Sequence, residues 1–291
     1  MTNLKLPEAD RSRVELAYQK YLEWSQAMDA VSGSRDDILG DFIRLLNAYK
    51  LHIEFDLIFC SSEDFLYRQN GQIKLANSIL EEFLPRLFDV RLVPGFKSIS
   101  NVSVSPATCF SHLSFGSPLQ ALDRGGVFVK SKDQDFAVTK SFDVSISGGE
   151  GTGARFAKTV SVAYFATEIK TNLDKTMFQE ATATAAELKS AVPGSRYILL
   201  CEWLDMAPID TKLTSIDEVI VLRKQKRLAS SARERFSSVE GRMQSREFYY
   251  KFLSENPIHL TSAERFVGHL NEVFPHESGI SEAHILERGY F

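Results

Sequence analysis

FAKTVSVAYFATEIKTNLDKTMFQEATATAAELKSAVPGSRYILLCEWL, residues 156–204, reads as strand, helix, strand. Through Lys170 it alternates β-branched and aromatic residues with small or polar ones, the period of two that a strand requires. After Asn172 the pattern changes. LDKTMFQEATATAAELKSA is rich in Ala, Glu, Lys and Leu, which favour helix, and Asp174 stands where an N-cap acceptor is needed. Pro193-Gly194 stops the helix. RYILLCEWL, 196–204, is a continuous apolar run, as in a strand buried on both faces. A helix between two strands is a crossover, and crossovers join parallel strands.

Upstream, VFVK (127–130) and DFAVTKSFDVSI (135–146) are strand-like, and the glycine-rich SGGEGTGA (147–154) connects the second to the strand above. These strands read as an antiparallel meander. EVIVL (218–222) follows as a short strand. Helices are expected over 10–30, 36–52 and 74–88. The second has Ile38, Phe42, Leu45 and Leu46 on one face, the third Leu75, Ile79, Phe83 and Leu87. HIEFDLIF (52–59) is compatible with a strand or with a continuation of the preceding helix. The Ser-rich stretch 96–125 reads as irregular. Residues 228–253 are expected as one helix with Leu228, Ala232, Phe236, Val239 and Met243 as its apolar stripe and Arg233, Arg235, Arg242 and Arg246 largely off it. A short helix over 257–274 completes the pattern. The fold class is α/β in the mixed, α+β sense: a mixed central sheet flanked by helices, with an additional helical region at 1–95, the sheet within 96–222, and a helical region at 223–291.

The 291 residues suffice for a sizeable core, and 44% hydrophobic with 25% charged residues is ordinary for a globular protein. No apolar run approaches the ~20 residues of a bilayer span, and the polar start MTNLKLPEADRSRVEL lacks a secretory pattern. A cytoplasmic protein is expected. Cys60, Cys109 and Cys201 are widely spaced among apolar neighbours, as in reduced, buried thiols. The net charge of -4 excludes a general polycation, but nine Lys/Arg and three Glu lie between Val221 and Lys251.

The chemical signal is Glu168-Ile169-Lys170. Alternation puts Glu168 and Lys170 on one side of the strand and turns Ile169 into the core. Asp135 starts the preceding strand. In an antiparallel hairpin, facing residues share a constant index sum. Asp135 and Glu168 give 303, which centres the turn between Gly151 and Thr152, inside the glycine-rich connection. The two carboxylates then face each other about 5 Å apart at Cβ, unless a bulge shifts the register. Asp133, Asp143 and Glu150 compete for the first position. Two carboxylates can hold a hard cation, which offsets the charge of a phosphodiester and acidifies a bound water. A lysine beside them can orient or deprotonate that water. Gly148–Gly153 has phosphate-loop spacing, but Ala154 stands where the lysine belongs.

With DQDFAV (133–138) and ATEIKTNLDKTMFQEA (166–181) on the page, the chain resembles the PD-(D/E)xK restriction endonucleases, and more narrowly the BbvCI-type enzymes that cut asymmetric sites with two related subunits. The resemblance implies an α-β-β-β-α-β core and a type II restriction endonuclease subunit that hydrolyses double-stranded DNA with Mg²⁺. It places Asp135 and Glu168 as metal ligands and Lys170 as the third catalytic residue; Gln134 stands where the pattern's name has proline. It implies a second subunit, in a heterodimer or a homodimer. Asn172, Lys175 and Gln179 at the helix start, and Arg223, Lys224, Lys226 and Arg227 in the basic segment, are expected to contact DNA. Base recognition falls by elimination to residues 1–95 together with the irregular stretch 96–125. A repair or mobile-element nuclease of the same fold, and a non-catalytic DNA-binding subunit, are the alternative functions.

Overall fold

The structure is a computed structural model and describes residues 6–116, 126–147, 155–274 and 282–289. The glycine-rich connection, Glu150 and the 117–125 part of the Ser-rich stretch lie outside them.

Two helices begin the chain, α1 (Glu8–Asp29) and α2 (Arg35–Leu51). Ser34 and Asp37 form a capping box that starts α2. HIEFDLIF continues it as a π-helix, His52–Phe59. The expected helix at 74–88 is broken. α3 (Phe65–Ile73) ends at a left-handed Lys74, α4 covers Ser78–Phe83, and a 3-10 turn, Leu84–Phe88, follows around Pro85. Pro94-Gly95 opens another 3-10 turn, Pro94–Ser98.

The sheet has five strands in chain order: β1 (Ser103–Phe115), β2 (Val127–Ser147), β3 (Arg155–Leu173), β4 (Arg196–Leu204) and β5 (Glu218–Lys226). The first three form the antiparallel meander, and β3, β4 and β5 are parallel. Two expectations are corrected. The Ser-rich stretch holds a 13-residue strand, β1, whose pattern is obscured by Pro106, opposite an extra residue on β2, and by a bulge at Ser111. VFVK is not a separate strand but the start of the 21-residue β2. The crossover helix α5 (Lys175–Ala191) starts as read, with the Asp174 carboxylate accepting from Met177 N–H at 2.9 Å.

β4 is buried along almost its whole length. On one face Ala166, Tyr197 and Leu199 pack under Phe178, Ala181 and Leu188 of α5. On the other, Phe136, Phe165 and Ile198 share a core with α2, α4 and the C-terminal helix α9 (Leu260–Val273). The N-terminal helices thus share a hydrophobic core with the sheet. Burial pushes the Cys109 and Cys201 thiols up to about 12; Cys60 is half-buried.

The single helix expected over 228–253 is four short pieces: α6 (Ser230–Glu234), a 3-10 turn (Arg235–Ser237), α7 (Val239–Gln244) and α8 (Arg246–Glu255). A short α10 (Glu282–Arg288) follows α9. The spaced stripe does not exist as such. Phe236 is buried while Met243 is 73% exposed, and Arg242 is 1% exposed. Its guanidinium donates to the carbonyls of Phe59 (3.0 Å) and Glu63 (2.8 Å) beyond the π-helix and pairs with Asp64 at 2.9 Å. A helix C-terminus leaves carbonyls without partners, and an arginine there satisfies several at once. Gly241 permits this fold-back: an added Cβ would lie 1.8 Å from the carbonyl oxygen of Arg235. Gly241→Ala is therefore expected to destabilise by about 2–3 kcal/mol, read as a lower denaturation midpoint, whereas Gly268→Ala in α9, with open space around it, should be neutral or stabilising.

Candidate active site

β2 serves two partners. Its first half pairs with β1, its second half with β3, and the ladder between β2 and β3 stops at Phe136↔Thr167. Beyond that pair β2 and β3 part, while β3 stays paired with β4 along its other edge as far as Leu173. Asp135 sits at the parting: its Oδ2 accepts the Ile169 N–H at 2.8 Å, a donor left over where the ladder ends.

A bulge decides this register. From Ser147↔Arg155 to Thr139↔Ala163 the index sum is 302; beyond Tyr164 it is 303, from Val138↔Phe165 to Phe136↔Thr167. The sequence reading treated a bulge as a threat to the carboxylate pair. Here the extra residue supplies the sum that carries on to Asp135 and Glu168.

Glu168 and Lys170 share one side of β3, and Ile169 is buried in the core of the opposite face. The Lys170 ammonium lies 2.6 Å from Glu168 Oε1. The Tyr197 hydroxyl donates to Glu168 Oε2 at 2.8 Å. Burial and the Glu168 charge raise the Tyr197 pKa, so the phenol stays protonated and acts as a fixed donor. Asp135 is different. Burial, opposed by the Ile169 hydrogen bond, and the charges of Glu81 and Glu168 raise its pKa above the usual aspartate value. Negative charge is thus crowded at one point, with Lys170 as the partial counterweight.

Asp135, Ile169 and Lys170 open onto a cleft of ≈ 810 Å³. Arg68, Asn70, Lys74 and Glu81 line it from α3, α4 and the turn between them; Trp203, Arg227, Arg233 and Tyr249 line it from the other side. Two participants carry no usable sequence signal. Glu81 is one acidic residue among 38. Tyr197 sits in an apolar run, and its buried hydroxyl is the only hint that it needs a partner.

The donor set fits a hard divalent cation. Two carboxylates stand on adjacent strands, and the Asp135 pKa is raised first by burial and then by the charges of Glu81 and Glu168. Among the described residues no three His, Cys, Asp or Glu side chains form a metal cage by themselves.

The family model for Bpu10I restriction endonuclease matches residues 72–291. The chain belongs to that family. The match takes in every strand and both sides of the Asp135–Lys170 centre. Among solved structures, a chain of the "native BbvCI A2B2 tetramer at low resolution" is similar, with TM-score 0.56 and 21% identity over 84% of this chain and 90% of that chain. That likeness shows the restriction-endonuclease fold, in agreement with the mixed sheet and flanking helices. No curated protein matches. No helix among the described residues is long and apolar enough to cross a membrane.

The expected DNA contacts divide. Asn172 and Arg227 line the cleft, while Lys175, Gln179, Lys224 and Lys226 are exposed outside its lining. Arg223 is a correction. It is 3% exposed and held by Glu54 and Glu202 at 3.0 and 3.1 Å, so it presents no donor to a phosphate. Removing it would strand two buried carboxylates beside one remaining lysine. Arg223→Ala should cost about 3–5 kcal/mol by denaturation, a loss that a surface contact residue would not show.

The Asp135 shift gives a second expectation. A carboxyl whose folded pKa is raised contributes stability that is complete below its unfolded pKa and lost as pH rises through the folded value. The ionised Asp135 therefore destabilises the metal-free protein at neutral pH. Asp135→Asn, which keeps an acceptor for Ile169 N–H, should melt higher than the parent at neutral pH without divalent metal. The gap should close in acid, below the ordinary aspartate range.

Proposed function

We propose that the chain is a type II restriction endonuclease subunit that hydrolyses phosphodiester bonds of double-stranded DNA at a specific site and depends on Mg²⁺. The observation that carries this reading is the Asp135–Glu168–Lys170 set at the parting of β2 and β3, facing a cleft with cationic walls. Family membership supports it.

Asp135 and Glu168 would hold the metal. When bound, Mg²⁺ supplies charge neutralisation at the phosphodiester and acidifies a water. The remaining work is done by the chain. Ile169 N–H fixes the Asp135 carboxylate, and Tyr197 fixes Glu168. Lys170 shares Glu168 Oε1 and is the group at hand to orient the attacking water or to meet the charge that develops on the phosphoryl oxygens. Ile169 closes the site from below and keeps bulk water out of the sheet.

The chain would act with a second homologous subunit; the similar BbvCI structure is an A2B2 tetramer. The region 1–95 would supply recognition, since Arg68, Asn70 and Lys74 reach the cleft from it. The part 96–222 would form the nuclease core, and 223–291 would complete the opposite wall.

Supercoiled plasmid and phage DNA, incubated with Mg²⁺ alone and with any neighbouring homologous subunit, should give discrete nicked or linear products that vanish in EDTA. Glu168→Ala and Lys170→Ala should each lower the rate by at least about 10²-fold. Full cutting by either variant, or none by the parent with its partner, would sink the catalytic assignment.

A further inference from the structure

The cleft is lined by five cationic side chains. Four have carboxylate partners: Lys170 with Glu168 at 2.6 Å, Arg227 with Asp205 at 2.8 Å, Arg68 with Asp64 at 3.1 Å and Lys74 with Glu81 at 3.3 Å. The fifth is Arg233. Among the described residues no carboxylate pairs with it, and its one side-chain hydrogen bond runs from Nε to the Leu228 carbonyl at 2.9 Å. That bond holds the guanidinium by its inner edge and leaves the four N–H groups on Nη1 and Nη2 without a protein acceptor. The side chain is half-buried. A half-desolvated cation without a counter-charge is unfavourable unless an anion completes it.

The neighbourhood has the same sign. Tyr67, in α3 on the facing wall, feels the charges of Arg242, Arg233 and Arg227 together. The Arg242 guanidinium lies 5.2 Å from its ring centroid, but its donors are taken by Phe59, Glu63 and Asp64, and the charge of Arg227 is matched by Asp205. Among the described residues Arg233 is the cation of this cluster without a carboxylate partner. A planar fork of N–H groups matches two oxygens of a phosphate.

We propose that Arg233 binds a non-scissile phosphate of the DNA backbone, across the cleft from Lys170, and positions the duplex for cutting at Asp135–Glu168–Lys170. This rests on the nuclease reading above. Arg233 is a positioning residue: it sets where the duplex lies, reads no base and takes no part in the chemistry. Its signature is electrostatic and independent of sequence, because each phosphate neutralised releases condensed counterions.

The test is binding of plasmid-derived duplex DNA in EDTA across a series of salt concentrations, with thermal melts of each protein. Arg233→Gln should bind more weakly, and the slope of log affinity against log salt should fall by about 0.9. Arg233→Lys should restore the slope, since charge is what the slope counts. The melting temperature should stay that of the parent, and kcat at saturating DNA with Mg²⁺ should change little while KM rises. If Arg233→Gln lowers the melting temperature, Arg233→Met, which keeps the packed stem, takes its place in the slope measurement. A folded variant with the parental slope overturns the assignment and leaves the nuclease intact. A parent that binds no DNA overturns the nuclease reading itself, and this one with it.

Discussion

Two cations and two carboxylates are sealed between the N-terminal helices and the sheet, and the layers cannot be assembled without them. Lys50 of α2 lies 2.9 Å from Glu54 of the π-helix and 2.8 Å from Glu202 of β4. Arg223 of β5 reaches both acids, donates to the Asn256 carbonyl at 2.8 Å, and stacks over Trp203 with 4.8 Å to the ring centroid. Each charge is matched, so the quartet is electrically neutral. Its net contribution to stability is small, because desolvation offsets most of the attraction. Its effect is on arrangement. Any other seating of α2 or the C-terminal segment on the sheet would leave at least one charge buried and alone.

That arrangement sets the cleft. Once the helical layer is fixed over β4 and β5, α3 and α4 bring Arg68, Lys74 and Glu81 toward the end of β3. Arg242 fixes the other wall by gathering the carbonyls that the π-helix leaves behind. The Thr171 hydroxyl donates to Asn77 and joins the first wall to β3. The site is therefore a place where two strands part beneath two helical walls. The parting lies where the β2–β3 ladder ends at Phe136↔Thr167 while β3 continues beside β4 to Leu173↔Leu204.

Much of this was legible because it is local or periodic. α1, α2, α5, β4, β5 and α9 follow from spacing, caps and apolar runs, and the strand–helix–strand stretch at 156–204 dictates a parallel pair. Glu168 and Lys170 share a side because strands alternate. The misreadings have physical causes. β1 is hidden because Pro106 and a bulge at Ser111 interrupt its strand pattern. The basic segment was read as one helix because four-residue spacing also fits short helices that reverse between turns, and only the Gly241–Arg235 approach reveals the reversal. Arg223 read as a surface charge because burial of a cation depends on acids some 20 and 170 residues away in sequence.

Sequence alone determined the class of sheet, the crossover, and the identity of the residues that carry charge at the end of β3, because each depends on neighbours within a few positions. Only the tertiary structure decided which charges face solvent, which carboxylates join Asp135, and which arginine is left unpaired in the cleft. Those outcomes depend on distance and desolvation between segments remote in the chain, and on a one-residue bulge at Tyr164 that no periodic pattern announces.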